Sequence, residues 1–379
     1  NEIKGDVEQV NGDISTAKID GTLDQSADGV VTTKEVTGAA TVEGKVNSDG
    51  GLKFGSTLEQ TAGAINANGD LTLTGNATVR GDVDAANIAA GSNTLTVDGA
   101  DVDVTGNIAA GTLDVNGGTV DAATVAATVV QDGGEITVTD KVTGDVTQND
   151  GTLSANTLVG NVDQNGGEIT VADTVTGKVT QNKGEISTAK IDGTLDQSAD
   201  GILTTKEVTG AATVEGTVYG DGGLKFGSTL EQTAGAIYAD GNLTLKDGAE
   251  VSGKVVANSV DATDKTVTAN TGANIDVAGE IKAGTLDVNA GTVKANAVAA
   301  TVVQGGGEIT VADTVTGDVT QDDGTLSANA VVGNIEQNGG EITVTDKVTG
   351  DVTQKGGTLS AANEIKGDVE QVNGDISTA

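Results

Sequence analysis

The stretch GEITVTDKVTGDVTQNDGTLSANTLVGNVDQNG at residues 134–166 holds two successive copies of one motif, G-x-[VIL]-x-Q. The motif returns every sixteen or seventeen residues over much of the chain. Its glutamines, with two that continue the spacing, are Gln9, Gln25, Gln131, Gln148, Gln164, Gln181, Gln197, Gln304, Gln321, Gln337, Gln354 and Gln371. Such a period is too long for one strand and too short for a domain, so it predicts the stacked turns of a solenoid.

Apolar residues alternate with polar ones inside each repeat, which is the pattern of a strand with one buried face. The residues with inward parity in the first copy are Ile136, Val138, Val142, Gly144, Val146 and Gln148. The pattern predicts a short strand ITV, a turn at 139–141, a longer extended run that bends at Gly144, and a second turn at 149–151. The second copy is one residue shorter, and the missing residue falls in the turn at 139–141. Both strands therefore keep their inward faces.

The recurring glutamine has the same parity as the apolar residues, so we expect it to point inward and stack on the glutamine one coil away. A side-chain amide carries donors and an acceptor, and coils about 4.8 Å apart would let a column of amides satisfy itself. Such amide ladders also stabilise cross-β stacks. The alternative is that each glutamine ends a strand and points to water. The predicted structural ladder comprises the twelve glutamines named above.

The residue before each glutamine alternates between threonine and an acid. The two series are Thr147, Asp163, Thr180, Asp196 and Thr320, Glu336, Thr353, Glu370. Like carboxylates in adjacent coils would repel each other, and an intervening threonine roughly doubles their separation. The alternation therefore supports a stacked arrangement with this position on the outside.

A longer repeat lies above the coil period. Residues 14–29 recur at 186–201, and residues 52–65 recur at 224–237. Residues 1–17 recur without change at 363–379. The chain is therefore predicted to be one continuous tandem-repeat solenoid over 1–379, with halves at about 1–184 and 185–362 and with 363–379 restarting the repeat. It is expected to be an excerpt of a longer array or to continue onto an identical neighbour.

Two segments, 61–130 and 233–303, lack the glutamine motif. They contain GDVDA at 81–85 and GKVVA at 253–257, which place alanine where the motif has glutamine. Their lengths are sufficient for three or four coils each. The expected architecture is all-β, a parallel β-solenoid of about twenty coils of 16–18 residues with some longer coils.

The composition leaves little for catalysis or cofactor binding. The chain has no His or Cys, which excludes conventional triads, thiolate nucleophiles and zinc sites built on these ligands. We expect it not to be an enzyme and to have no cofactor, apart from calcium or other cations held by its acidic surface. The candidate calcium ligands are Asp98, Asp101 and Asp103 in an Asp-rich loop.

The net charge of -36 argues against nucleic acid and anionic membranes as partners, because both would be repelled. No apolar run reaches the length of about eighteen residues that a transmembrane helix needs, so no membrane insertion is expected in this segment. The expected partner is the chain itself, in a head-to-tail or lateral homopolymer.

The stretches GDLTLTGNATVRGDV at 69–83 and AGTLDVNGGTVDAATV at 110–125 resemble the passenger repeats of bacterial autotransporters and of filamentous-haemagglutinin-type adhesins. The resemblance implies a long β-solenoid on a bacterial surface. The Gly-x-Val spacing is also similar to that of bactofilins, which are β-helical cytoskeletal polymers.

These observations lead to three functional hypotheses. The first is a structural protein that forms a stiff extracellular filament, stalk or sheath at the cell surface. The second is a surface adhesin whose solenoid face binds a host or matrix ligand, with departures from the regular coil clustered on one face. The third is a bactofilin-like cytoskeletal polymer.

Overall fold

A computed structural model describes residues 1–378. The chain is all-β: strands account for 72% of the residues, and parallel coils stack into a β-solenoid of about 22 turns. The predicted fold class is confirmed. No helix within residues 1–378 has the length and hydropathy needed to cross a bilayer.

The chain divides into two compact units, Asn1–Thr188 and Ala189–Ala379. The sequence-predicted halves meet at 184/185, near this division. Strands β1 to β21 begin in the first unit, and they are β1 Glu2–Lys4, β2 Val7–Ser15, β3 Lys18–Asp20, β4 Leu23–Thr32, β5 Glu35–Val36, β6 Ala40–Val42, β7 Lys45–Ser48, β8 Leu52–Phe54, β9 Leu58–Gln60, β10 Ala64–Ala67, β11 Asp70–Leu73, β12 Ala77–Val79, β13 Asp82–Ala85, β14 Asn87–Ala89, β15 Thr94–Gln131, β16 Glu135–Thr143, β17 Val146–Gln148, β18 Thr152–Val159, β19 Val162–Gln164, β20 Glu168–Thr176 and β21 Val179–Asp192.

Strands β22 to β42 lie in the second unit, and they are β22 Leu195–Thr204, β23 Glu207–Val208, β24 Ala212–Val214, β25 Thr217–Gly220, β26 Leu224–Phe226, β27 Leu230–Gln232, β28 Ala236–Leu245, β29 Ala249–Val251, β30 Lys254–Ala269, β31 Asn274–Val288, β32 Thr292–Gln304, β33 Glu308–Thr316, β34 Val319–Gln321, β35 Thr325–Val332, β36 Ile335–Gln337, β37 Glu341–Thr349, β38 Val352–Gln354, β39 Thr358–Ala361, β40 Glu364–Ile365, β41 Val369–Gln371 and β42 Asp375–Thr378.

Each coil has three sides, which we call A, B and C in chain order. They are clearest where the strands are short: β7, β10 and β13 pair on side A, β8, β11 and β14 on side B, and β9, β12 and the start of β15 on side C. All these pairings are parallel. Elsewhere one long strand continues around a corner, so that β16 supplies both side A and side B of its coil.

The bend predicted at Gly144 separates side B from side C. Strand β16 ends at Thr143 and β17 begins at Val146, while Gly144 adopts a φ of 134°. The sequence thus predicted two extended segments and the position of the bend. In the structure, the bend divides the longer segment between sides B and C, so that each coil has three sides.

The one-residue difference between neighbouring coils lies in a turn, as predicted. Val138 pairs with Ala155 and Lys141 pairs with Thr157, so the coil that follows has one residue fewer at the corner between sides A and B. Inward side chains on both sides of this corner stay buried, including Val142 and Leu158. A deletion inside a strand would instead have turned every following side chain to the opposite face.

The interior of each coil is filled by Val, Ile, Leu and Ala, with Phe54 and Phe226 as the largest buried side chains. Burying one such aliphatic side chain contributes about 1.5–3 kcal/mol. Strand pairs on all three sides satisfy the backbone between coils. Each coil therefore contributes a similar increment of stability to its neighbours, which is the energetics of a repeat protein.

The prediction that alanine replaces glutamine in the irregular segments is wrong. Strand pairing puts Val79 next to Gln60 and puts Val251 next to Gln232. Ala85 ends a side A strand, and Ala257 pairs with Ala239 on side A, not with the glutamine position on side C. Coils in these segments reach 20 or 21 residues, as the pairings Lys254↔Asn274 and Val260↔Ile281 show. Extending the motif into these longer coils therefore assigned side A strands to the glutamine column, which lies on side C.

Candidate functional site: the buried glutamine column

The glutamines of the predicted ladder lie at the end of side C, where the chain turns into the next coil. Eleven of the twelve are buried, with at most 4% of each residue exposed: Gln9, Gln25, Gln131, Gln148, Gln164, Gln181, Gln197, Gln304, Gln321, Gln337 and Gln354. Gln371, in the last coil of the described residues, is exposed. The amides of the other eleven therefore need partners inside the protein.

Amide-to-amide hydrogen bonds link neighbouring glutamines within each of two separate runs. Each Nε2 donates to the Oε1 of the glutamine one coil earlier, at 3.0–3.1 Å. The run in the first unit comprises Gln131, Gln148, Gln164 and Gln181, and the run in the second comprises Gln304, Gln321, Gln337, Gln354 and Gln371. In both runs the amides point the same way, so each run has a direction.

Each amide inside a run also contacts the backbone of two coils. Nε2 of Gln148 donates to Oε1 of Gln131, to the carbonyl of Gly151 in the turn after Gln148, and to the carbonyl of Glu168, which directly follows the equivalent turn one coil later. One side chain thus bonds to three successive coils at this corner. A slip of one residue between coils would break the hydrogen bonds to Gln131 and Glu168, so the column stabilises a single register.

Gln60 and Gln232 belong to the same column but do not fit the sequence motif. Both are buried, and their Nε2 atoms donate to backbone carbonyls as in the runs. Each is the last residue of a GSTLEQ stretch, where an extra corner residue separates glycine from leucine. Their inward parity and terminal position on a strand are the signals that could have identified them.

Valine follows several glutamines in the column, among them Gln25 below Val42, Gln60 below Val79 and Gln232 below Val251. In these examples the buried Oε1 has no hydrogen-bond partner among residues 1–378. Valine has no donor to offer, so these amides are less fully satisfied than those inside the two runs. Gln9 also has an unpartnered Oε1, although it pairs in register with Gln25.

A second column at the corner between sides B and C was not predicted. Here an Asp or Asn side chain accepts the backbone N–H of the corresponding residue in the next coil. Asp145 accepts from Asn161 at 2.8 Å and Asn161 from Lys178 at 3.0 Å, and the second unit repeats this at Asp318, Asn334 and Asp351. The signal in the sequence is an Asp or Asn directly after the corner glycine.

The outward position before the glutamine shows the predicted alternation. Asp163 lies between Thr147 and Thr180, and Glu336 lies between Thr320 and Thr353. Two places depart from it, where Glu8 adjoins Asp24 and Glu231 adjoins Glu250.

Hydrogen bonding and burial shift the pKa values of individual acids in opposite directions. The backbone N–H and the hydroxyl of Thr22 hold the pKa of Asp6 below its usual value. A hydrogen bond from Lys53, 2.9 Å away, lowers the pKa of Glu35. Burial raises the pKa of Asp114. Each of these effects is confined to one corner or one side of a coil.

The candidate calcium ligands do not form a metal site. Asp98 accepts a hydrogen bond from Nε of Arg80 at 2.8 Å, and Asp101 accepts one from the hydroxyl of Thr119 at 2.8 Å. Asp101 and Asp103 are both exposed on one strand, two residues and therefore roughly 7 Å apart. Nowhere in residues 1–378 do three acidic side chains converge in a way that could hold a metal ion.

One exposed aromatic cluster distinguishes side A of the second unit. The rings of Tyr219 and Tyr238 stack with centroids 5.4 Å apart, and Nζ of Lys254 lies 5.1 Å from the centroid of Tyr238. Tyr219 is 44% exposed. The corresponding residues of the first unit are Asn47 and Asn66, which are joined by a 2.9 Å amide hydrogen bond.

No protein family, curated protein or solved structure matches this chain.

Proposed function

We propose that this chain is a structural protein whose stacked coils form a stiff filament, stalk or sheath. The observation that carries the proposal is the glutamine column, because an amide inside a run bonds to three successive coils through the interior. Together with parallel backbone pairing on three sides, it opposes bending and sliding between coils. These are the properties that a load-bearing fibre requires.

A site outside the cell, on a bacterial surface, is the location that fits this proposal best. The acidic exterior resists nonspecific association, and charge alternation along the coils limits repulsion within the stack. The resemblance of 69–83 and 110–125 to bacterial surface repeats supports the same location. The chain would associate with identical copies, because its coils repeat one sequence, as 14–29 and 186–201 do, and so offer matching strand patterns to each other.

The fibre proposal predicts assembly that electron microscopy and diffraction can detect. Purified protein should form unbranched filaments in negative stain, and aligned filaments should give a meridional reflection at about 4.7–4.9 Å from coils stacked along the axis. Compact particles of uniform size at every concentration and salt condition, without this reflection, would contradict the proposal.

A second candidate function is adhesion through the cluster of Tyr219, Tyr238 and Lys254. Exposed tyrosines are enriched at binding surfaces, and this protein has only four aromatic residues. The variant Y219N/Y238N introduces the asparagines that the first unit has at the equivalent positions. We expect it to abolish binding to extracellular matrix or to cells while filaments still form. The matched control is N47Y/N66Y in the first unit, with binding measured by surface plasmon resonance. Unchanged binding by Y219N/Y238N would rule out this cluster as the adhesive site.

A further inference from the structure

Side B of the first unit carries a patch without carboxylates, although the net charge of the chain is -36. The patch covers six successive coils. Its outward-facing residues are Asn87, Ala89, Asn107, Ala109, Thr124, Ala126, Lys141, Thr143, Thr157, Val159, Thr174 and Thr176. These twelve positions hold one lysine and no Asp or Glu, whereas 56 of the 379 residues in the chain are acidic.

Side B of the second unit carries an equivalent patch over four coils. Its outward-facing residues are Ala297, Ala299, Thr314, Thr316, Ala330, Val332, Lys347 and Thr349. These eight positions again hold one lysine and no Asp or Glu. The other sides of the same coils do carry acids, such as Glu308 on side A and Glu336 on side C. The distinctive composition therefore belongs to side B.

An exposed valine lies within each patch. Val159 is 37% exposed and pairs in register with Thr143 and Thr176, and Val332 is 42% exposed and pairs with Thr316 and Thr349. Large aliphatic side chains elsewhere in these coils point into the core. β-branched side chains on a strand surface pack well against a second sheet. The two valines thus mark a surface suited to sheet-on-sheet packing.

Acidic corners border the patch of the first unit. Asp140 and Asp173 lie at the corner between sides A and B, and Asp145 lies at the corner between sides B and C. Protein interfaces have the same distribution, with few charges at the centre and a polar rim. The rim repels anionic partners, and a basic partner would find more carboxylates on sides A and C. A second copy of the chain offers an equally neutral surface.

We infer that the side B patch packs face to face against the same patch of a second copy, in an antiparallel pair. The inference rests on the proposed association of identical copies and names its surface. Both copies rise about 4.8 Å per coil, so their rows of side chains interdigitate in register along the whole patch. A two-fold axis at Val159 places Lys141 of each copy opposite the row of Thr174 in the other. The two lysines therefore do not meet.

The area of the patch makes this contact weak in one pair and strong in a fibre. Six coils at about 4.8 Å and three residues at about 3.3 Å give a face of about 290 Å², so two copies bury about 600 Å². Specific interfaces usually exceed about 1,000 Å² in total. Patches that recur along a fibre act together, so that many weak contacts give firm association. Side B is thus the surface that joins neighbouring fibres.

Adding charge to the patch tests the inference in the full chain. V159E/V332E adds one carboxylate at the centre of each patch, and the matched control S154E/S327E adds the same charge on side A of the same coils. Side-by-side association of filaments is measured by low-speed pelleting and by filament width in negative stain. We expect V159E/V332E to weaken it about a hundredfold or more, because opposed carboxylates repel and must lose water. S154E/S327E should associate like the native chain.

Salt separates pairing of identical copies from capture of a basic partner. Raising ionic strength from about 0.01 to 0.15 M shortens the screening length from about 30 to 8 Å, which should strengthen pairing by screening the acidic rims. Attraction to a basic partner would weaken instead, and such a result would overturn the pairing. Circular dichroism should be unchanged in both variants, because all four substituted side chains point outward.

The remaining outcomes separate this inference from the fibre proposal. Native filaments that stay single, or V159E/V332E filaments that associate as the native ones do, would overturn the pairing and leave the fibre proposal intact. Equal loss of association in S154E/S327E would show that total charge matters and not side B, and would also overturn it. Native protein that stays monomeric at every concentration and salt condition would refute both.

Discussion

Replacing Gln148 with leucine is expected to open its coils far more often than the same change at Gln60. Q148L removes hydrogen bonds to Gln131, Gly151 and Glu168 and leaves Oε1 of Gln131 buried without a donor. A buried unsatisfied group costs about 1–3 kcal/mol and each lost hydrogen bond about 0.5–1.5 kcal/mol, so the loss should be about 3–5 kcal/mol. Hydrogen exchange measured by mass spectrometry reports the local opening that this change affects.

The control variant Q60L has the same chemistry at a site that is equally buried. Gln60 donates only to two backbone carbonyls, at 3.2 and 3.3 Å, and its own Oε1 already lacks a partner. Leucine removes that unsatisfied oxygen, so the net cost should be about 1 kcal/mol or less. Peptides from 134–166 in Q148L should therefore exchange roughly a hundredfold to several thousandfold faster than in wild type, with little change around Gln60 in Q60L. Equal effects would show that hydrogen bonds between amides add nothing beyond burial.

Gly167→Ala is expected to break the stacking of its coil on the one before it. Gly167 has a φ of 72°, and a Cβ there would lie 2.4 Å from the carbonyl oxygen of Gly151 and 3.1 Å from the amide carbon of Gln148. The left-handed conformation costs alanine about 1–2 kcal/mol, and forced displacement of packed atoms adds about 1–3 kcal/mol. The total of about 2–5 kcal/mol should appear as faster exchange in 151–185.

Gly99→Ala separates the two contributions. Gly99 has a similar φ of 78°, but a Cβ at Gly99 has no other atom within 4 Å. G99A should therefore show the conformational cost alone, about 1–2 kcal/mol. A loss in G167A no larger than that in G99A would mean that close approach between coils does not restrict this corner to glycine.

The regular coils were predictable from sequence because a strand has a fixed period of two. That period assigns Val142 and Gln148 to the interior, and it locates the deleted residue in a turn, since only there does the inward pattern survive. The bend at Gly144 was predictable for a related reason, because it interrupts a run that is otherwise extended. These inferences use contacts between neighbours in sequence or one coil away.

The irregular segments were predicted less well because their coil length varies. The sequence could not show that Val79 rather than Ala85 follows Gln60 in the column, since this depends on how many residues each corner contains. Nor did it identify Gln60 and Gln232 as members, because an extra corner residue displaces them from the motif. Register over coils of 15 to 21 residues is set by strand pairing and not by spacing alone.

The sequence by itself determined that this protein is a parallel solenoid, which of its residues face inward, and that a glutamine column was possible. Only the tertiary structure decided which carbonyls and amides each glutamine reaches, and that Asp145 and Asn161 cap the backbone of the following coil. It also decided that Asp98, Asp101 and Asp103 do not converge. The physical reason is that alternation of side chains is a local property of an extended chain, whereas hydrogen bonds between coils depend on distances that only the stacked backbone fixes.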